Sequence, residues 1–233
     1  MEEFERSALL LGEEGIERLR NSSVAIFGIG GVGGHVCEGL ARCGVGRLAL
    51  FDSDRVSLSN INRQMVALHS TVGRYKTEVM KERILDINPQ ARVEAYNMFY
   101  LPENADGVDL SQYDYIVDAI DTVSAKLELA VRAQRAVIPI ISCMGTGNKL
   151  CPEMLEITDI YKTTVCPLAR VMRRELKARG VKKLTVLYSK EEPIKAQCTP
   201  SEGSTKRSPG SVSFVPSVAG LIISSHVIKE LIK

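Results

Sequence analysis

The chain has 233 residues, 45% of them hydrophobic, which is enough to bury the core of one domain and too little for two large ones. Aromatics are 5% and Trp is absent, so that core is aliphatic; a formal charge of +2 says nothing about partners. No apolar run approaches the roughly 20 residues that span a bilayer, and MEEFERSALLLG has no basic region leading an apolar one, so neither a membrane span nor a signal peptide is expected.

Residues 4–19 carry Leu10, Leu11, Ile16 and Leu19 at helical spacing and predict a helix. Residues 24–28 predict a short buried strand, 32–43 a helix stopped by Gly44, and 48–51 a second strand bounded by Asp52. A helix is expected over 72–87, ending before Pro89, followed by a third strand at 92–96 and a fourth at 114–120. Residues 122–136 predict a helix and 137–143 a fifth strand. Continuous apolar strands alternating with helices imply an α/β fold, a Rossmann-like parallel sheet flanked by helices. After Gly147 the rhythm changes: strands at 155–160 and 184–188, expected to extend the sheet antiparallel, bracket a basic helix. Residues 189–210 form a polar loop with little to bury, expected to be mobile, and 216–232 a closing apolar helix. The reading is one domain over 1–233, with a nucleotide-binding part at 1–150 and a substrate-facing extension at 151–233.

Charge is unevenly spread. Residues 1–20 are acid-rich, whereas 170–183 hold Arg170, Arg173, Arg174, Lys177, Arg179, Lys182 and Lys183 against Glu175 alone. Such a block is usually a solvated helix face; it is also the footprint a phosphate backbone requires. The six cysteines (Cys37, Cys43, Cys143, Cys151, Cys166 and Cys198) include no C-x-x-C pair, so no zinc is expected, and without an export signal reduced thiols in the cytoplasm are the simple expectation.

The run GIGGVG, Gly28 to Gly33, comes after a strand and opens a helix. Without β-carbons, Gly28, Gly30, Gly31 and Gly33 let backbone N–H groups approach a phosphate at a positive helix end. Asp52 stands at the distance expected of a carboxylate that holds a ribose hydroxyl. The turn alone does not separate NAD from ATP.

Three segments beyond the turn make that separation. FDSDRVSLSNINRQ (Phe51 to Gln64), HSTVGRYK ending at Lys76, and DAID (Asp118 to Asp121) resemble the signature of the ubiquitin-activating-type adenylyltransferase superfamily, which includes the adenylyltransferases of molybdopterin and thiamine biosynthesis. The resemblance covers essentially the whole chain. It implies ATP bound in a Rossmann-like domain and a carboxylate adenylated at the α-phosphorus, which needs fixed cations around the phosphates. By resemblance Asp52 holds the ribose, Asn60, Arg63 and Lys76 (one turn into its helix) reach the phosphates, and Asp121, at the carboxyl end of the fourth strand, ligates Mg²⁺. Asp54 is equally readable as a turn residue, and Asp118 as a helix-capping or sheet-end carboxylate. Arg6 stands where the family sends an arginine across a dimer interface into the partner's site, which implies a homodimer. Thr122 and Lys126 depart from the usual asparagine and arginine.

Residues 159–177 and 210–232 narrow the resemblance to the tRNA threonylcarbamoyladenosine dehydratases. These use ATP to activate the carboxylate of the threonylcarbamoyl group at position 37 of certain tRNAs and close it into a ring. On this reading tRNA is the partner, and Arg170, Arg173, Arg174 and Lys177 contact its phosphates, positioning without specifying sequence. A protein of a sulfur-transfer or cysteine desulfurase system is a further partner, and a monovalent cation a further cofactor, that the resemblance leaves open. The alternative is an enzyme that adenylates the C-terminus of a ubiquitin-like or sulfur-carrier protein; the missing zinc cysteines and the basic helix weigh against it. Cys166, before Pro167 at a helix start, has a minority reading as a thioester-forming nucleophile, which ring closure does not need; His35 and His69 read as structural.

Overall fold

The computed structural model describes residues 2–195 and 209–233. Cys198 and the centre of the expected mobile loop lie outside these residues. Seven strands form one sheet: β1 (Ser23–Phe27), β2 (Arg47–Phe51), β3 (Arg92–Tyr96), β4 (Tyr115–Asp118), β5 (Ile140–Cys143), β6 (Leu155–Asp159) and β7 (Thr185–Ser189), in the order β3-β2-β1-β4-β5-β7-β6. All neighbours pair in parallel except β6, which runs antiparallel to β7. The antiparallel extension is therefore β6 alone; β7 continues the parallel sheet beside β5.

Alternation along each strand sorts the core into two layers. Val24, Ile26, Leu48 and Leu50 face a cluster shared with α2 (Gly33–Arg42), α3 (Lys76–Ile87) and α6 (Phe214–Leu231). Ala25, Phe27, Ala49 and Phe51 face the opposite side, against α4 (Val123–Ala136). A third cluster joins α4 to α5 (Pro167–Ala178) over β7 through Leu127, Ala169, Met172, Leu176 and Val186.

Two expectations change in detail. The first helix, α1 (Glu5–Asn21), is broken at Gly12, whose φ of 75° and ψ of 157° lie outside the helical region; the leading segment then holds Leu9 and Leu10 at 82% and 89% exposure. The closing helix α6 is long and apolar enough, at 18 residues, to cross a bilayer by length and composition. Its apolarity has a use inside the domain: Val215, Ala219, Ile223 and Val227 are buried, and a β-carbon on Gly220 would lie 2.5 Å from the Val32 carbonyl of the turn before α2.

Candidate active site

The carboxyl ends of β1, β2 and β4 open onto a cavity of about 330 Å³. This is where open α/β sheets bind ligands. Gly28, Gly30 and Gly31 line it from the first turn, Asp52 and Asp54 from the end of β2. Asn60 and Arg63 line it from the next loop, Lys76 from the start of α3, and Asp121 from the loop after β4. Nine of the residues expected to hold the nucleotide thus meet around one space.

The turn is shaped by close backbone approach. Gly28 has φ +91°, and a β-carbon there would lie 2.6 Å from the Ala119 carbonyl. Gly33 does not line the cavity; a β-carbon on it would sit 1.8 Å from the Gly28 carbonyl. Its part is to let α2 dock against the turn, so that the helix N-terminus faces the cavity.

Asp52 accepts the backbone N–H groups of Ile29 (2.6 Å) and Asp54 (2.8 Å), which ties the end of β2 to the glycine turn. Burial pushes its carboxyl above the ordinary carboxylate range, while Lys76 and those two N–H donors pull it back. Lys76 is the first residue of α3, not one turn inside it. The reason is local: residues 73–75 run back along 54–56, with Gly73 N–H donating to the Val56 carbonyl at 2.9 Å and Lys76 N–H to the Asp54 carbonyl at 3.0 Å. That pairing delivers the ammonium to Asp54 at 2.7 Å, the lysine side chain 6% exposed and the aspartate 62%.

Arg63 has no carboxylate partner among the described residues. Its Nη1 donates to the Ser59 carbonyl at 3.0 Å and to Asn62 Oδ1 at 2.8 Å, which orients the guanidinium and leaves its charge uncompensated. Asn60 spends its carbonyl oxygen on Ser57 N–H (3.1 Å), closing the turn that carries Arg63; its amide nitrogen remains for a ligand. Asp121 stands three residues beyond the end of β4 and is exposed, with only a 3.4 Å contact from the Thr122 hydroxyl.

The structure also adds residues that sequence reasoning left without a role. Gln64, 8% exposed, lines the cavity beside Gly30, and its Oε1 lacks a hydrogen-bond partner among the described residues. An orphaned buried acceptor beside a nucleotide-binding turn fits a site built for a ligand; its place next to Arg63 in the motif was the available signal. Thr146, Ser211 and Pro216 complete the wall from distant parts of the chain, and no local pattern announces them. Asp118 and Lys126 are both wholly buried and paired at 2.9 Å, so Asp118 is neither a ligand in the cavity nor a helix cap.

Two groups of expected site residues stand apart from the cavity. Arg6 is exposed on the leading segment of α1 and does not reach its own chain's site. On α5, Arg170, Arg174 and Lys177 are exposed on one face. Arg173 does not join them: its Nη1 donates to the Thr163 carbonyl at 2.9 Å and to the Thr163 hydroxyl. Ala169, Met172 and Leu176 set the inward phase of the helix, and position 173 falls beside 169 and 176. Cys166 is the residue before α5 and is 3% exposed, away from the cavity. His35, in the first turn of α2, has its Nδ1 2.8 Å from the Gly31 carbonyl.

A family model described as the ThiF family matches residues 4–233. The chain belongs to the ThiF family. Within it, the tRNA threonylcarbamoyladenosine dehydratase of Bacillus subtilis (strain 168) is 43% identical over 243 residues, spanning 100% of this chain and 96% of that protein. Among solved structures, the Escherichia coli tRNA N6-threonylcarbamoyladenosine dehydratase in complex with AMP superposes with a TM-score of 0.91 at 35% identity, covering 99% of this chain and 94% of that one. The same enzyme in complex with ATP gives 0.88 at 34% identity, covering 99% and 93%. This ThiF family chain therefore shares its whole length, not the nucleotide-binding half alone, with those dehydratases.

Proposed function

We propose that the chain is an ATP-dependent dehydratase that adenylates the carboxylate of threonylcarbamoyladenosine in tRNA and cyclises it with release of AMP. The observation that carries this reading is the convergence of Arg63, whose cation has no carboxylate partner among the described residues, with Lys76, Asp52 and Asp121 on one cavity at the glycine turn. Hydride transfer would have no use for such a set; phosphoryl chemistry does.

In the first step a carboxylate oxygen of the substrate bonds to the α-phosphorus, the bond to the β-phosphate oxygen breaks, and pyrophosphate leaves. Arg63 and Lys76 hold the negative charge that builds on the phosphate oxygens. Asp52 accepts the ribose hydroxyls, and the backbone N–H groups of Gly30 and Gly31 face the phosphates. In the second step a nucleophile within the same modification attacks the activated carbonyl carbon, the bond to the AMP oxygen breaks, and a proton is released. The oxygen lost as water from the substrate leaves on AMP, a far better leaving group than hydroxide. Asp121 fits a Mg²⁺ ligand, since its carboxylate is exposed to the cavity with no cation partner among the described residues and Mg²⁺ takes one or two carboxylates plus phosphate oxygens. When bound, that ion neutralises charge on the departing pyrophosphate.

Two features support partners. Arg170, Arg174 and Lys177 form an exposed basic face fitted to tRNA phosphates. The exposed Leu9 and Leu10, on the same segment as Arg6, favour a homodimer in which that segment is covered and Arg6 enters the second copy's cavity.

Incubation with ATP, Mg²⁺ and tRNA bearing threonylcarbamoyladenosine, then digestion and mass analysis of the nucleosides, tests the reading. A modified nucleoside lighter by one water, with AMP released in step, is expected. An unchanged nucleoside, with pyrophosphate exchange that depends on a small carrier protein, would overturn it.

A further inference from the structure

The Lys126 ammonium is fully buried in the loop region behind Asp121, and each of its three protons has an acceptor. It donates to Asp118 Oδ2 at 2.9 Å, to the Cys143 carbonyl at 2.8 Å and to the Ile120 carbonyl at 3.1 Å. Asp118 is equally satisfied: Oδ2 also accepts the Ser142 hydroxyl at 2.5 Å, and Oδ1 accepts the Ile120 N–H at 3.1 Å. A charge pair wholly out of water is weak evidence for a stabilising role, because desolvating two ions costs about as much as their attraction returns. Its geometry shows another use.

Ile120 is held at both ends, its N–H by Asp118 and its C=O by Lys126. That carbonyl belongs to the peptide joining Ile120 to Asp121. Fixing the plane of this peptide fixes the direction in which Asp121 leaves the loop. The preceding residue is pinned as well, Ala119 N–H donating to the Phe27 carbonyl at 2.8 Å and the loop lying against Gly28. Asp121 itself has only the weak Thr122 contact to orient it among the described residues. What sets its position is the peptide that Lys126 clamps.

We infer that Lys126, with Asp118, is a positioning residue for adenylation: it clamps the Ile120–Asp121 peptide so that the Asp121 carboxylate is presented to the metal–phosphate side of the cavity. The inference rests on the adenylating function proposed for the cavity. It separates two parts of nucleotide binding. AMP depends on the glycine turn and Asp52, which Lys126 does not touch. The gain in ATP affinity that Mg²⁺ brings depends on Asp121.

Lys126→Met alone would leave Asp118 buried without its counter-ion and so threatens the fold. The informative variant is Asp118→Asn/Lys126→Met, which removes the clamp and leaves no buried charge. AMP affinity, and ATP affinity with and without Mg²⁺, are measured by calorimetry on the full chain, beside a thermal melt. The expected result is a folded variant that binds AMP within about twofold of the parent and loses about tenfold or more of the Mg²⁺-dependent gain for ATP. An undiminished Mg²⁺ gain overturns the role. So does an equal loss of AMP and ATP affinity, which would mark the pair as shaping the whole pocket, and so does a variant that cannot fold, which would assign the pair to stability. A parent protein that binds no ATP would instead strike the functional reading itself.

Discussion

The chain carries two sets of cations that look alike in sequence and differ in every physical respect. Lys76 is buried, delivered to its place by a backbone pairing, and held at 2.7 Å from Asp54; Arg63 is aimed by two hydrogen bonds along its own turn. Both converge on a concave space. Arg170, Arg174 and Lys177 lie exposed on one face of α5, outside that space, with Arg174 in a solvated pair with Glu175 at 2.9 Å. Convergent, oriented charge stabilises a transition state because it needs no reorganisation when the phosphates load. Exposed charge on a helix face attracts and positions a polyanion. On the function proposed above, the first set serves the chemistry and the second the docking.

The sharpest way to break this distinction is to remove one charge from the cavity. Arg63→Ala should lower the rate of pyrophosphate release by about 10²–10³, or about 3–4 kcal/mol of barrier, with the thermal melt little changed because Arg63 is half-exposed and pairs with no carboxylate among the described residues. A loss under tenfold would place Arg63 outside the reacting phosphates. Lys76→Met tests the same set through pH. Burial already raises the Asp52 carboxyl, and Lys76 opposes that rise. Without the ammonium, Asp52 takes up its proton at a higher pH, and an aspartic acid accepts ribose hydroxyls less well than an aspartate. AMP binding should therefore weaken as pH falls, and in Lys76→Met that acid limb should begin at higher pH than in the parent. Superimposable limbs would show that Asp52 does not hold the ribose.

On α5 the effects should be smaller and of another kind. Replacing Arg170, Arg174 or Lys177 by Ala should weaken tRNA binding a few-fold and flatten the slope of log affinity against log salt by about 0.7–1 per residue, with ATP affinity untouched. Arg173→Ala should leave that slope alone and lower stability by about 1–2 kcal/mol in denaturant unfolding, since its guanidinium is bonded to Thr163. If all four flatten the slope equally, the inward seat of Arg173 is wrong.

How far these differences could be read in advance depended on distance along the chain. GIGGVG announces itself because the strand and helix that bracket it are consecutive and short, so spacing nearly determines position; the Asn60–Arg63 run and Lys76 were legible through the family resemblance. The buried strand at 24–28 was legible for the same reason as the turn; which of Val24, Ala25, Ile26 and Phe27 faces which helix layer was not, since all four are apolar. The start of α3 was not, because Gly73 at φ +88° and the return of 73–75 along 54–56 are tertiary events that override helical spacing. Arg173 was legible in principle from the buried phase of Ala169, Met172 and Leu176, which charge counting ignored. Lys126 was noted only as a departure from a pattern. Its role depends on the Cys143 carbonyl of β5, 17 residues away, and no local signal carries that.

The smallest expected effect lies where α5 begins. Cys166 occupies the position before the helix, 3% exposed and not among the residues lining the cavity, so its sulfur does not face the site. In Cys166→Ser two contributions to stability oppose each other. A serine before a helix is a favoured cap, worth about 0.5–1 kcal/mol when its oxygen accepts from the first turn. Burying the more polar hydroxyl in place of the thiol costs about 1–3 kcal/mol, which the cap offsets in part. The near-cancellation predicts a melting temperature within about 5 °C of the parent and an unchanged rate of AMP release from tRNA. A rate loss of tenfold or more with the melt preserved would mean that the thiol reacts, and ring closure would then have to pass through a thioester instead of going directly from the acyl-adenylate.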